Sequence, residues 1–167
     1  MAYLLDANVF IEAKNRYYGF DFCPAFWDWL DRAHARGTVF SIDKIHDELV
    51  GGNDELATWT QQRTSQFFLV PDATIVPSLQ ATSTWAASTR TNGTGYEPAA
   101  VATFLQSADY YLVAHANAYN HVVVTHEVVS PSPKKVKIPN ACFGMSVTYV
   151  TPFEMLRAER ARFVIGP

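Results

Sequence analysis

A single α/β domain with a mainly parallel central sheet is the fold this sequence predicts, and three observations predict it. Short apolar runs alternate with longer helical patterns along the whole chain. The run His121-Val122-Val123-Val124-Thr125 is β-branched and apolar, as a strand buried on both faces should be. No internal repeat or linker divides the 167 residues, a length that suits one domain with its own core.

Taken in order, Tyr3-Leu4-Leu5 closes on Asp6 and reads as a buried first strand with a carboxylate at its C-terminal end. In open parallel sheets that edge is where ligands bind. Asn8 is read as the N-cap of a helix through Lys14, which puts Asp6 in the strand-to-helix turn, near the positive end of a helix dipole. For the tripeptide alone, a turn and a cap are a sufficient account.

After a turn from Gly19 to Pro24, a helix is expected over Pro24 to Ala35, with Phe26, Trp27, Leu30 and Ala33 on one face and Gly37 ending it. Residues 38–42 read as the second strand. Asp43 caps a helix that Gly51-Gly52 stops, and Asn53 caps another running on to Phe67. The Ala/Thr/Ser-rich stretch from Asp72 to Arg90 reads as helix despite Pro77, and residues 91–95 as a loop. Short helices follow over Pro98 to Leu105 and after Ser107, the latter leading into the best strand. Lys134 to Ile138 forms a basic loop, Pro139 opens a short helix, residues 147–150 make the last strand, and a helix runs from Pro152 to Arg162.

Composition bounds the function classes. Hydrophobic residues make up 49% and aromatics 14%, the profile of a packed globule and not of a disordered chain. No apolar stretch approaches the roughly 20 residues that span a bilayer, and no basic-then-apolar leader opens the chain. Cys23 and Cys142 lack metal or redox spacing and read as buried thiols. A soluble, cytoplasmic domain with no membrane partner is the expectation. A net charge of -3 removes the general basic character common in nucleic-acid binders, although a bound cation reverses the sign of carboxylates locally.

Four acids share a placement, each at a strand end or on a helix beside one: Asp6, Glu48, Asp109 and Glu127. Doubly wound topology brings such positions to one edge of the sheet. Crowded carboxylates repel unless a cation neutralises them, and hard oxygen donors favour Mg²⁺ or Mn²⁺. The residues alone leave open that these are ordinary surface acids among sixteen.

Four segments, in this order, resemble the PIN-like nuclease family: Tyr3-Leu-Leu-Asp6-Ala-Asn8, Ile45-His-Asp-Glu48-Leu49, Ala108-Asp109-Tyr-Tyr-Leu-Val-Ala114 and Val122-Val-Val-Thr125-His-Glu127. The segment Lys137-Ile-Pro139-Asn-Ala-Cys142 is similar to the stretch after that family's last acid. The resemblance spans Tyr3 to Val150 and is nearest to toxin components of bacterial or archaeal toxin–antitoxin pairs. It implies a three-layer α/β/α, Rossmann-like fold and Mg²⁺- or Mn²⁺-dependent endoribonuclease activity leaving 5′-phosphate and 3′-hydroxyl ends. By the same resemblance Asp6, Glu48 and Asp109 hold the metal, and Glu127 completes the site directly or through water. Asn8 orients those ligands, and Thr125 hydrogen-bonds a ligand or metal-bound water. Glu127 stands where Asp is commoner, and Asp47 competes with Glu48. Adjacent helical side chains point roughly 100° apart, so only one of that pair faces the site. The implied partners are an RNA substrate, a cognate antitoxin and a second copy of the chain.

Lys14 and Arg16 after the first motif, and Lys134, Lys135 and Lys137 after the last, are candidate phosphate contacts flanking the site. His126 beside Glu127 is a further RNA candidate, though it reads first as a solvated loop residue; His46 and His115 read as structural. Trp27 and Trp59 fall on apolar helix faces and read as core, Trp29 and Trp85 as interface residues, and Tyr17-Tyr18-Gly19-Phe20 as lid, interface or core. An aspartyl-nucleophile phosphatase ranks low, because Asn8 stands where that chemistry needs a proton-shuttling acid. A housekeeping RNA-processing or DNA-directed nuclease, and an inactive PIN-like binding module, stay open.

Overall fold

In a computed structural model, which describes residues 1–63, 66–88 and 95–164, Tyr3–Leu5 (β1) is the middle strand of a parallel sheet. The other strands are Val39–Ile42 (β2), Phe68–Leu69 (β3), Val122–Val124 (β4) and Tyr149–Val150 (β5), in the order β3-β2-β1-β4-β5. Tyr3 pairs with both Val39 and Val122, so the chain builds outward on one side of β1, then returns to build on the other. The gap beyond the C-terminal ends of β1 and β4 is therefore the switch point of the sheet. Helices flank the sheet in the three-layer α/β/α arrangement.

The central strands are apolar because both faces are covered: Leu4, Leu5, Ile42, Val123 and Val124 are fully buried. Beside them Phe10 packs among Trp59, Phe67 and Phe68 at centroid distances of 5.8, 6.3 and 6.3 Å. Among the described residues no helix is long and apolar enough to cross a membrane.

Local chemistry sets the element ends. The first helix, Ala7–Glu12 (α1), starts two residues earlier than expected: Asp6, not Asn8, occupies the N-cap position and exposed Asn8 lies inside the first turn. It runs on through a π-helical turn, Ala13–Tyr17, closed by the Tyr18 amide donating to the Ala13 carbonyl at 2.6 Å. Pro24–Ala35 (α2) has the expected bounds, and Gly37 takes the positive φ of 74° that ends it. Asp43–Val50 (α3) leads from β2 to Glu55–Gln61 (α4), which Asp54, not Asn53, caps by accepting from the Ala57 amide at 2.9 Å.

The expected continuation of that helix to Phe67 is incorrect. Phe68–Leu69 is the edge strand β3, held in parallel register against Ser41 and Ile42. A two-residue strand has too little alternation to be read by periodicity, and Phe68 and Leu69 fit a buried helix face equally well.

Val76–Ser88 (α5) follows a 3₁₀ turn at Ala73–Ile75; Arg90 and residues 91–94 of the expected loop lie outside the described residues. Pro98–Gln106 (α6), Ala108–Tyr119 (α7) and Ile138–Gly144 (α8) fall where expected. The last helix, Pro152–Ala158 (α9), opens with a reciprocal Thr151/Glu154 capping box and stops short of Arg162.

Candidate active site

Asp6 is fixed by the sheet. Its amide donates to the Val124 carbonyl at 3.0 Å, extending the β1–β4 ladder by one bond, and its side chain is only 2% exposed. Thr125, the residue after β4, donates its hydroxyl to Asp6 Oδ2 at 2.9 Å, and Thr125 Oγ1 in turn accepts from the Glu127 amide at 3.0 Å. One buried hydroxyl thus ties the Asp6 carboxyl to the backbone of Glu127. Thr125 serves here as a partner of Asp6 itself.

A cleft of about 610 Å³ opens at this edge and is lined by Asp6, Asn8, Glu48, Asp109 and Glu127, with Lys134 and Lys135 also on its wall. Asp109 enters from the first turn of α7. Glu48 reaches the cleft from α3 as an exposed residue, whereas Asp47 turns away towards His46, with Oδ1 3.5 Å from Nδ1. Of those two neighbours, Glu48 is the one on the helix face that meets the cleft.

Burial pushes the Asp6 carboxyl up to about 7, reinforced by repulsion from Asp109 and Glu127; its hydrogen-bond donors, Thr125 and the Ala7 amide, are uncharged. Burial likewise pushes Asp109 up to about 6, with Glu127 and Glu48 adding repulsion and Lys135 and Lys137 opposing it. Two desolvated acids that repel each other, facing a cleft, make a local demand for positive charge.

The Glu127 carboxylate is committed on both oxygens. Lys137 Nζ donates to Oε1 at 2.7 Å, the Ile138 amide donates to Oε2 at 2.9 Å, and Lys135 Nζ lies 3.8 Å away. Among the described residues no three His, Cys, Asp or Glu side chains gather closely enough to form a ready metal cage. The cause is visible in the side chains: Glu127 is drawn to the basic loop, and Glu48 stands at the exposed rim. Asp6 and Asp109 remain an all-oxygen pair whose chemistry fits a hard divalent cation, with Glu48 and Glu127 as the long-armed donors nearest to them.

The basic candidates divide. Lys134 and Lys135 line the acidic cleft, whereas Lys137 and Arg16 line an adjoining groove. Lys14 lines neither and forms an ion pair with Asp54. His126 is not a solvated loop residue; it stacks on Tyr17 at 5.6 Å and meets Phe153 at 5.8 Å, and burial holds its pKa below the usual value. Sequence reasoning passed over Glu97, which lines the cleft at the start of α6 and donates its amide to Pro133 at 2.9 Å, steadying the basic loop. Its position before Pro98, as a helix N-cap, was the available signal.

Residues 3–163 match the family described as a domain of unknown function, DUF4411. The chain belongs to that family. No curated protein and no solved structure matches it. The DUF4411 unit thus contains Asp6, Glu48, Asp109 and Glu127 within its matched span.

Proposed function

We propose that this DUF4411 domain is a Mg²⁺- or Mn²⁺-dependent endoribonuclease of PIN-like type, working as the toxin of a toxin–antitoxin pair. The observation that carries the reading is Asp6: a nearly inaccessible carboxyl, raised to about 7, at the switch point of a parallel sheet and facing an acid-lined cleft. A carboxylate needed only for structure gains nothing from such a position, and a cation offsets the repulsion that the fold has built in. The ordered PIN-like motifs point the same way.

Asp6, Asp109 and Glu48 would hold the ion, with Glu127 acting through water while its own oxygens stay with Lys137 and Ile138. When bound, the ion lowers the pKa of a water and stabilises charge on the phosphate. Thr125 fixes the Asp6 carboxylate by its 2.9 Å bond, so no reorientation is needed when substrate arrives. Lys134 and Lys135 bind phosphate oxygens along the cleft wall, and the Asn8 amide faces the same space. Attack of water on phosphorus expels the 3′-oxygen, which takes a proton to become the 3′-hydroxyl, and leaves a 5′-phosphate.

A cognate antitoxin that covers the cleft and a second copy of the chain are the partners of this reading; a housekeeping role on RNA or DNA would use the same acids, because substrate choice lives in the surrounding surface. The test is RNA cleavage by purified protein with Mn²⁺, with Mg²⁺ and with chelator, beside Asp6→Asn. Metal-dependent cleavage that vanishes in the variant is the expected result. Equal activity in both proteins overturns the site, and no cleavage with no bound cation makes the domain an inactive binding module.

A further inference from the structure

The acidic cleft does not end at Glu127. A second groove of about 560 Å³ shares Asn8, Glu127 and Lys135 with it and continues towards Tyr17 and Val128. The walls combine two chemistries. Arg16 and Lys135 are largely solvent-exposed cations, with side chains 69% and 64% accessible. Tyr17 and Val128 are apolar surfaces left open, 41% and 75% exposed. The acids of the groove, Glu12 and Glu127, are paired with Arg16 at 3.0 Å and Lys137 at 2.7 Å.

The backbone presents Tyr17 outward. In the aromatic run after α1, Tyr18 turns in to stack on Phe26 at 4.4 Å and Phe20 stacks on Trp27 at 4.0 Å. Tyr17 takes the other direction at the end of the π-helical turn Ala13–Tyr17, a kind of distortion frequent at functional sites. Its ring is braced by His126 at 5.6 Å and by Phe153, edge-on, at 5.2 Å. A flat, braced and accessible ring beside solvent-exposed cations suits a ligand with an aromatic plane and a phosphate.

We propose that this groove is a subsite for an unpaired nucleotide of the strand lying in the acidic cleft, its base stacked on Tyr17 and its phosphate met by Arg16 and Lys135. The inference rests on the nuclease reading and adds to it a subsite with a named stacking residue; a paired base offers no free face to Tyr17.

The experiment uses the full chain carrying Asp6→Asn, so that the strand stays intact, and a synthetic eight-nucleotide RNA with 2-aminopurine at successive positions. Quenching at one or two adjacent positions is expected, with binding about tenfold weaker in Tyr17→Leu and retained in Tyr17→Phe. Arg16→Gln, at an exposed position that bears little on folding, weakens binding several-fold and reduces its salt dependence. Unchanged binding in Tyr17→Leu, or a duplex of the same sequence bound as tightly as the single strand, overturns the subsite while cleavage by the wild type keeps the nuclease reading standing. Absence of both binding and cleavage for every RNA overturns the two together.

Discussion

Lys137 Nζ sits 2.7 Å from Glu127 Oε1, so the acid that follows β4 meets a lysine before it can meet a metal. The bond raises the Lys137 pKa, and with the Ile138 amide it leaves Glu127 as an anchor for the basic loop. An ion entering the cleft must then leave Glu127 at the distance of a water or displace Lys137.

Lys137→Met separates those cases. Removing one cation beside Asp109 and Glu127 should tighten Mn²⁺ binding on the order of tenfold, measured by calorimetry. The metal-free fold should lose about 1–3 kcal/mol, because the Glu127 charge keeps only its backbone donor. Unchanged or weaker Mn²⁺ affinity would mean that the lysine does not compete with the ion.

Thr125 carries a second prediction. Its hydroxyl is 1% exposed, donates to Asp6 and accepts from the Glu127 amide. Thr125→Val keeps the shape and strands two buried polar groups, so chemical denaturation should show a loss of about 1–3 kcal/mol. Cleavage should fall with it as Asp6 loses its fixed orientation. Thr125→Ser should restore most of both. A Val variant as active as wild type would detach Thr125 from the site.

The sheet core and the site were legible to different degrees, for physical reasons. Val122–Val124 and Tyr3–Leu5 declare themselves because a strand buried on both faces leaves no room for polar residues. Asp6 is visible as the abrupt end of such a run. Phe68–Leu69 is hidden, since two residues carry no period and strand pairing is decided by a partner far along the chain. The Glu127–Lys137 bond is hidden too: Lys137 looked like a phosphate contact, and only the return of the loop past Ile138 shows what it holds. Tyr17 and Tyr18 are adjacent aromatics with opposite fates, and the π-turn that separates them leaves no mark in composition.

Stability should depend on pH in a direction set by Asp6. An unfolded Asp titrates near 3.9, whereas in the fold Asp6 is raised to about 7, so the folded state holds its proton more tightly. The stabilisation is fully present below about pH 4 and is lost as pH rises through about 7, amounting to on the order of 4 kcal/mol for Asp6 alone. Asp109, raised to about 6, acts in the same sense. Metal-free protein should therefore melt lower at pH 8 than at pH 5.5, and Asp6→Asn should flatten the difference. Saturating Mn²⁺ at pH 8 should restore about 3 kcal/mol at a hundred times its dissociation constant. A melting temperature that climbs from pH 5.5 to 8 without metal would contradict the burial of this acid.

Away from the cleft, α8 and α5 meet at a contact with no slack. A β-carbon added at Gly144 would lie 2.1 Å from Trp85 Nε1 and 2.2 Å from Cε2. The Trp85 ring already packs against Tyr96 at 5.9 Å, so it must leave its place or push α8 outward. Either movement strains packed groups, and Gly144→Ala should lower stability by about 1–3 kcal/mol, or roughly 2–4 °C in Tm per kcal/mol for a chain of this size. The backbone there has no positive φ, so the penalty is steric alone. It should therefore nearly vanish in a Trp85→Leu background, where the offending atoms are gone. A double-mutant cycle by thermal denaturation should return a coupling of at least about 1 kcal/mol. Additive effects would show instead that the helix end and the indole do not touch in solution.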